Sequence, residues 1–186
     1  MRGLARLRQA NAVISAVMMV LFLLHGVGNA FELIGVGMPT SKLIARAVLV
    51  LAAAHAVIGV ALTIATVRAQ REAGTSYVGL NSRFWAVRAS GVAIALFLVF
   101  HMLTFLQTSA GGPYRLRSFQ GFELATGIGL VVSLAVHVLA NMRPFMVSLG
   151  VGAPRARAMD VVLVLSVALL LMAVAFVVYF VRWSVV

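Results

Sequence analysis

The chain has 186 residues, 63% of them hydrophobic and only 10% charged, with a mean hydropathy of +1.09. That is more apolar surface than a soluble domain of this size can bury, so composition points to an integral membrane protein. The net charge of +11 is no sign of nucleic acid, since the basic residues lie mostly in or beside short connections between apolar runs. The absence of cysteine excludes thiolate metal sites, iron–sulfur ligation by this chain and covalent haem attachment through C-x-x-C-H.

The N-terminus, MRGLARLRQ, leads into an apolar run in which Gly28-Asn29-Ala30 resembles a small-residue cleavage site. The run is long for a signal peptide, and a retained first span is expected. Five apolar segments are long enough to cross a bilayer as helices, which takes about 20 residues. They run from about Ala12 to Ile34, Leu43 to Val67, Trp85 to Leu106, Phe122 to Met142 or slightly beyond, and Val161 to Phe180. β-Branched residues are common in all five, but such lengths argue helix over strand. The connections are short and punctuated by Gly and Pro, as in Gly-Val-Gly-Met-Pro before Thr40 and Gly-Gly-Pro before Tyr114. The expected fold is therefore all-α, a single membrane domain of five transmembrane helices over residues 1–186.

Orientation follows from Lys and Arg in alternate connections. One side carries Arg2, Arg6, Arg8, Arg68, Arg71, Arg83, Arg88, Arg143, Arg155 and Arg157; the other carries Lys42, Arg46, Arg115, Arg117 and Arg182. The first side is expected to be cytoplasmic, with the N-terminus inside and the C-terminus outside. Trp85 and Trp183 then fall near opposite interfaces, where aromatic belts form.

The four histidines, His25, His55, His101 and His137, all lie within apolar segments, one on each of the first four helices. An imidazole in hydrocarbon needs a partner. A single one is readily explained by a backbone carbonyl; four on four successive helices suggest a shared task. At about 1.5 Å rise per residue, His25 and His101 each lie about 20 Å from the cytoplasmic ends of their helices. His55 is near mid-membrane and His137 lies inside the midplane, which leaves those two as the second pair. Small residues share the histidine faces: Ala52 and Gly59 beside His55, Gly28 and Asn29 beside His25, Ser133, Ala140 and Asn141 beside His137. Such residues admit a flat macrocycle, although they also serve helix packing in membranes. With the histidines they favour two bis-histidine haems b, the iron ligands being His25 with His101 and His55 with His137.

The segment Phe84-Trp85, Arg88-Ala89-Ser90-Gly91, Phe97 and His101-Met102 resembles the di-haem cytochrome b membrane anchor of succinate dehydrogenase and fumarate reductase. Its haem-bearing helices often show an aromatic pair, a Ser/Thr-Gly step and a downstream histidine, and the five-helix, four-histidine layout is similar over essentially the whole chain. The resemblance implies that the first and third histidines ligate one haem and the second and fourth the other. It implies electron transfer between membrane quinone, menaquinone or another, and an FAD-containing flavoprotein and an iron–sulfur subunit on the cytoplasmic face. The flavin subunit would carry the dicarboxylate chemistry. The implied location is the plasma or inner membrane of a prokaryotic cell, and a dimer of complexes is allowed. One departure is Ala135, two residues before His137, where some fumarate reductases have glutamate; compensating proton transfer lacks that carboxylate here.

Quinone chemistry needs proton exchange. Glu32, two turns beyond His25, and Glu123, which opens the fourth helix, are the candidates on the outer side, with Glu32 the expected catalytic residue; each is also explained as an interfacial charge. Arg88 and Arg143 near the inner haem and Arg46 near the outer one are candidates for haem propionates, since Arg matches carboxylates, and the Ser90 hydroxyl is a further donor to the inner haem. Each arginine singly is equally explained as a solvated charge. Two alternatives stay open: a di-haem cytochrome b of another quinone-linked oxidoreductase, which commonly places two histidines on one helix, and a cofactor-free small transporter or assembly protein.

Overall fold

The computed structural model describes residues 2–36, 42–74, 81–106, 116, 118–150 and 155–183. Five helices make up nearly all of them: α1 Arg2–Leu33, α2 Lys42–Glu72, α3 Ser82–Phe105, α4 Gly121–Ser148 and α5 Arg155–Trp183. All five are long and apolar enough to cross a membrane. Most overrun the apolar segments read from sequence, because hydropathy marks only the part suited to hydrocarbon. In α1 the helix-forming run from Leu4 to Arg8 carries the helix back to Arg2. The side chains of Arg115, Arg117, Arg155, Arg157 and Trp183, which entered the orientation argument, lie outside the described residues.

Large apolar side chains such as Val50, Val57, Val92, Leu163 and Val181 are each more than 60% exposed. A water-facing surface would not tolerate so many, whereas lipid would. Inside, α1 packs on α2, α3 packs on α4, and α5 seats against both α1 and α4. The main core lies among α1, α4 and α5, where Ala30, Leu33, Leu169, Met172, Ala175 and Phe176 are buried. Tyr179 is 1% exposed there, and its hydroxyl accepts the Leu116 N–H at 2.6 Å, tying down the α3–α4 connection. Helices α3 and α4 approach closely because Gly129 leaves room for the Phe97 ring; a Cβ at Gly129 would stand 2.7 Å from Phe97 Cζ. Helix α2 contrasts with the rest. It packs chiefly on α1 and has no fully buried residue.

The helix ends are satisfied by side chains, as orphan backbone groups require. Asn81 Oδ1 accepts the Phe84 N–H at 3.0 Å at the start of α3. After α1 the chain turns through Gly35 at φ +82°, and Arg182 Nη1 donates to Ile34 O at 2.9 Å. Inside α4, Pro144 lacks the N–H that would bond Ala140 O four residues back. Arg83 Nε donates to that same carbonyl at 2.7 Å. A side chain of α3 thus replaces the hydrogen bond that Pro144 removes, which lets α4 continue to Ser148.

This arrangement predicts a non-additive pair. Arg83→Ala should lower unfolding stability in detergent by about 1–3 kcal/mol, the range for hydrogen bonds to charged groups. In a Pro144→Ala background, where residue 144 regains its N–H, the same change should cost much less. Equal costs in both backgrounds would show that Arg83 acts elsewhere.

Candidate functional site

The two antiparallel pairs α1/α2 and α3/α4 face each other through their histidines. The His25 and His101 rings have centroids 6.4 Å apart at an interplanar angle of 79°. The His55 and His137 rings are 6.1 Å apart at 82°. These are the two pairs expected from sequence, the first from depth and the second partly by elimination. The His55–His137 approach bridges α2 and α4, which share little backbone packing. A Cβ built at Gly59, one turn from His55, meets nothing within 4 Å, so open space lies beside that histidine. Gly91 lies against the other ring, its would-be Cβ 3.6 Å from His137 Cε1.

Hydrogen bonds fix the tautomers of the His55–His137 pair, called the inner pair because it lies against Ser15, nearer the N-terminal end of α1 than His25 of the outer pair. Ser15 Oγ lies 2.7 Å from Asn11 O and 3.0 Å from His55 Nδ1. A hydroxyl has one hydrogen, and the shorter contact to a carbonyl takes it. Ser15 Oγ therefore accepts from His55 Nδ1–H. At His137 the assignment is made twice. Nδ1 lies 3.2 Å from Val87 O, which can only accept. It also lies 3.2 Å from Ser90 Oγ, whose own hydrogen goes to Ala86 O at 2.6 Å. Both inner imidazoles thus carry their proton on Nδ1 and keep a bare lone pair on Nε2. The outer pair is held differently. The Asn29 amide lies 3.0 Å from His25 Nδ1. His101 packs on Phe105 with ring centroids 4.6 Å apart, and its Nδ1 is buried with no hydrogen-bond partner.

The remaining candidates divide. Ser90 is 6% exposed; its hydroxyl donates to Ala86 O at 2.6 Å and lies 3.2 Å from His137 Nδ1. Arg88 is half-buried. Its Nη1 donates to Phe84 O at 2.9 Å and its guanidinium lies 3.2 Å from the centroid of the Phe84 ring, while Nε is buried without a partner. Arg88 borders a cavity of about 400 Å³ between α2 and α3, lined also by Thr63, Gln70, Arg71 and Trp85. Arg46 and Arg143 are exposed. Glu32 is half-buried at the end of α1, seven residues beyond His25. Glu123 takes a structural role: its carboxylate accepts the Gln120 N–H at 2.8 Å and caps α4. Ala135 lines an apolar groove between α4 and α5 with Val131, Val138, Leu139, Leu165 and Leu169.

Sequence reading missed Ser15 and the Val87 carbonyl. Ser15 carried a usable signal, being a polar residue inside a span. Its link to His55, however, depends on where α2 sits vertically against α1. Among the described residues no three of His, Asp or Glu gather into a metal-binding group; the histidines stand in twos. No protein-family model, curated protein or solved structure matches the chain.

The cap assignment of Glu123 has a direct consequence. Glu123→Ala should destabilise the folded chain by about 0.5–2 kcal/mol through loss of the cap. Both histidine pairs should survive intact, checked by thermal unfolding together with the ring-¹⁵N histidine spectrum. A change in spectrum without a change in stability would return Glu123 to the site.

Proposed function

We propose that this chain is a di-haem cytochrome b membrane subunit of the succinate dehydrogenase and fumarate reductase type. The carrying observation is the tautomer and spacing of the histidine pairs. On both inner rings Nδ1 is engaged, which leaves the Nε2 lone pair available as a ligand. With metal–imidazole bonds of about 2.0–2.1 Å, and each nitrogen about 1.1 Å from its ring centre, two imidazoles on opposite sides of one metal have centroids about 6 Å apart. The separations of 6.4 and 6.1 Å match that figure. Zinc and calcium sites recruit three or more protein ligands. A two-histidine set suits a metal whose other positions a macrocycle fills, as in haem.

When bound, haem b supplies one-electron transfer between soluble flavin and iron–sulfur subunits on the cytoplasmic face and quinone in the membrane. The chain's own residues hold and orient. His25 and His101 would hold one haem, and His55 and His137 the other. Ser15, Ser90 and the Val87 carbonyl hold the inner rings through Nδ1. The space beside Gly59 and the thin packing of α2 suit a planar group between α2 and α4. Arg88, beside its cavity, is placed to meet an acidic edge of such a group. Glu32 is the carboxylate best placed for proton exchange with quinone on the outer side, in the plasma or inner membrane of a prokaryotic cell with the N-terminus cytoplasmic.

Purified protein is expected to carry two non-covalent haems b per chain, read by the pyridine haemochrome spectrum against protein. His25→Ala or His101→Ala should remove one haem and leave the other, and His55→Ala or His137→Ala should do the reverse. A ratio near one or zero, or spectra that group His25 with His55, would overturn the reading. Copurifying flavin and iron–sulfur subunits separate it from other quinone-linked cytochromes b. Glu32→Gln should keep both haems and lower quinol-linked turnover by about 10²-fold. Unchanged turnover would leave Glu32 an interfacial charge.

A further inference from the structure

We infer that Ser15 is a positioning residue for the inner pair: α1, which carries His25 for one pair, also fixes the protonation and orientation of His55 for the other. The Ser15 hydroxyl spends its hydrogen on Asn11 O, one turn back in α1, and so presents only a lone pair to His55 Nδ1. The hydroxyl is therefore oriented by its own helix before α2 arrives. Among the described hydrogen bonds its partner His55 has no backbone carbonyl contact of the kind His137 makes with Val87. His137 would keep its tautomer without Ser90, whereas among the described hydrogen bonds His55 depends on Ser15 alone. The two residues of α1 stand ten positions apart, about 15 Å along the axis. On α3, Ser90 and His101 stand eleven apart, about 16 Å. The two helices thus independently set the same spacing between pairs.

An axial imidazole whose Nδ1–H donates to oxygen is a more basic ligand. On the di-haem reading, Ser15 makes His55 a stronger donor to ferric iron and holds the inner centre at a lower midpoint potential than a free imidazole would. The redox consequence rests on that reading; the tautomer does not.

The test uses the full chain in lipid. With ring-¹⁵N histidine, His55 identified by its loss in His55→Ala, the wild type should show Nδ1 protonated. Ser15→Ala should give a tautomer mixture or loss of the single form, and Ser15→Thr should restore it. A wild-type His55 protonated on Nε2, or a spectrum unmoved by Ser15→Ala, overturns the inference whether or not haem is bound. In haem-replete protein, redox titration of Ser15→Ala should shift upward the midpoint of the centre that His55→Ala removes, leaving the other unmoved. Affinity for that haem should fall by about 10- to 100-fold. A centre lost selectively is the larger form of the same effect, and equal changes at both centres would mean Ser15 acts only on packing. Wild-type protein with no haem would sink the di-haem reading and leave the nitrogen spectra to decide Ser15.

Discussion

The bundle depends on how four imidazoles are accommodated between two helix pairs whose direct packing on each other is thin. In hydrocarbon an unsatisfied ring nitrogen costs about 1–3 kcal/mol, and water is not there to relieve it. At the inner level three oxygens, from Ser15, Ser90 and Val87, take the Nδ1 protons. Those bonds do more than offset desolvation. They fix which nitrogen is left bare on each ring. The helix backbones are then free to stand apart at α2, where the separation leaves room beside Gly59.

Such openness needs rigidity elsewhere, and the structure provides it on the α3/α4 side. Gly129 receives the Phe97 ring, and Arg83 satisfies the carbonyl that Pro144 orphans. Both contacts flank His137 on α4, one about two turns before it and the other, at Ala140, one turn after. His137 is thereby held at a set height against Val87 and Ser90. Helix α5 carries no histidine but contributes Leu169, Met172, Ala175, Phe176 and Tyr179 to the core. It buttresses α1 against α4 and spares the histidine helices from providing that packing themselves.

The helix count and the histidine pairing were legible in the sequence because each rests on one dimension. Apolar run length gives the spans, and residue counting gives depth along them. What the sequence left hidden needs lateral placement. Ser90 reads as a free hydroxyl until α4 brings His137 beside it, and Arg83 reads as one more positive-inside charge until Pro144 is seen across from it. Glu123 read as a candidate acid because it stands at the mouth of α4, yet its neighbour Gln120 already identified a cap. The helix ends were misjudged for a simpler reason: polar helix formers such as those in Arg2–Arg8 have no hydropathic signature.

The two pairs are unlike, and the difference has a physical direction. The inner rings are held by directional hydrogen bonds, each with a preferred angle and a defined proton. The outer pair sits in an aromatic run, His101 on Phe105 and Phe105 toward Phe176, with ring centroids 4.6 and 6.4 Å apart, and His101 Nδ1 has no acceptor. Packing holds a ring's plane but does not choose which nitrogen bears the proton. His101 is therefore positioned by packing alone, whereas both inner rings are held by directional hydrogen bonds. Asn29 gives the outer site one polar handle: its Nδ2 donates to His25 O at 2.5 Å and lies 3.0 Å from His25 Nδ1, so its own helix sets which end of the amide faces the ring.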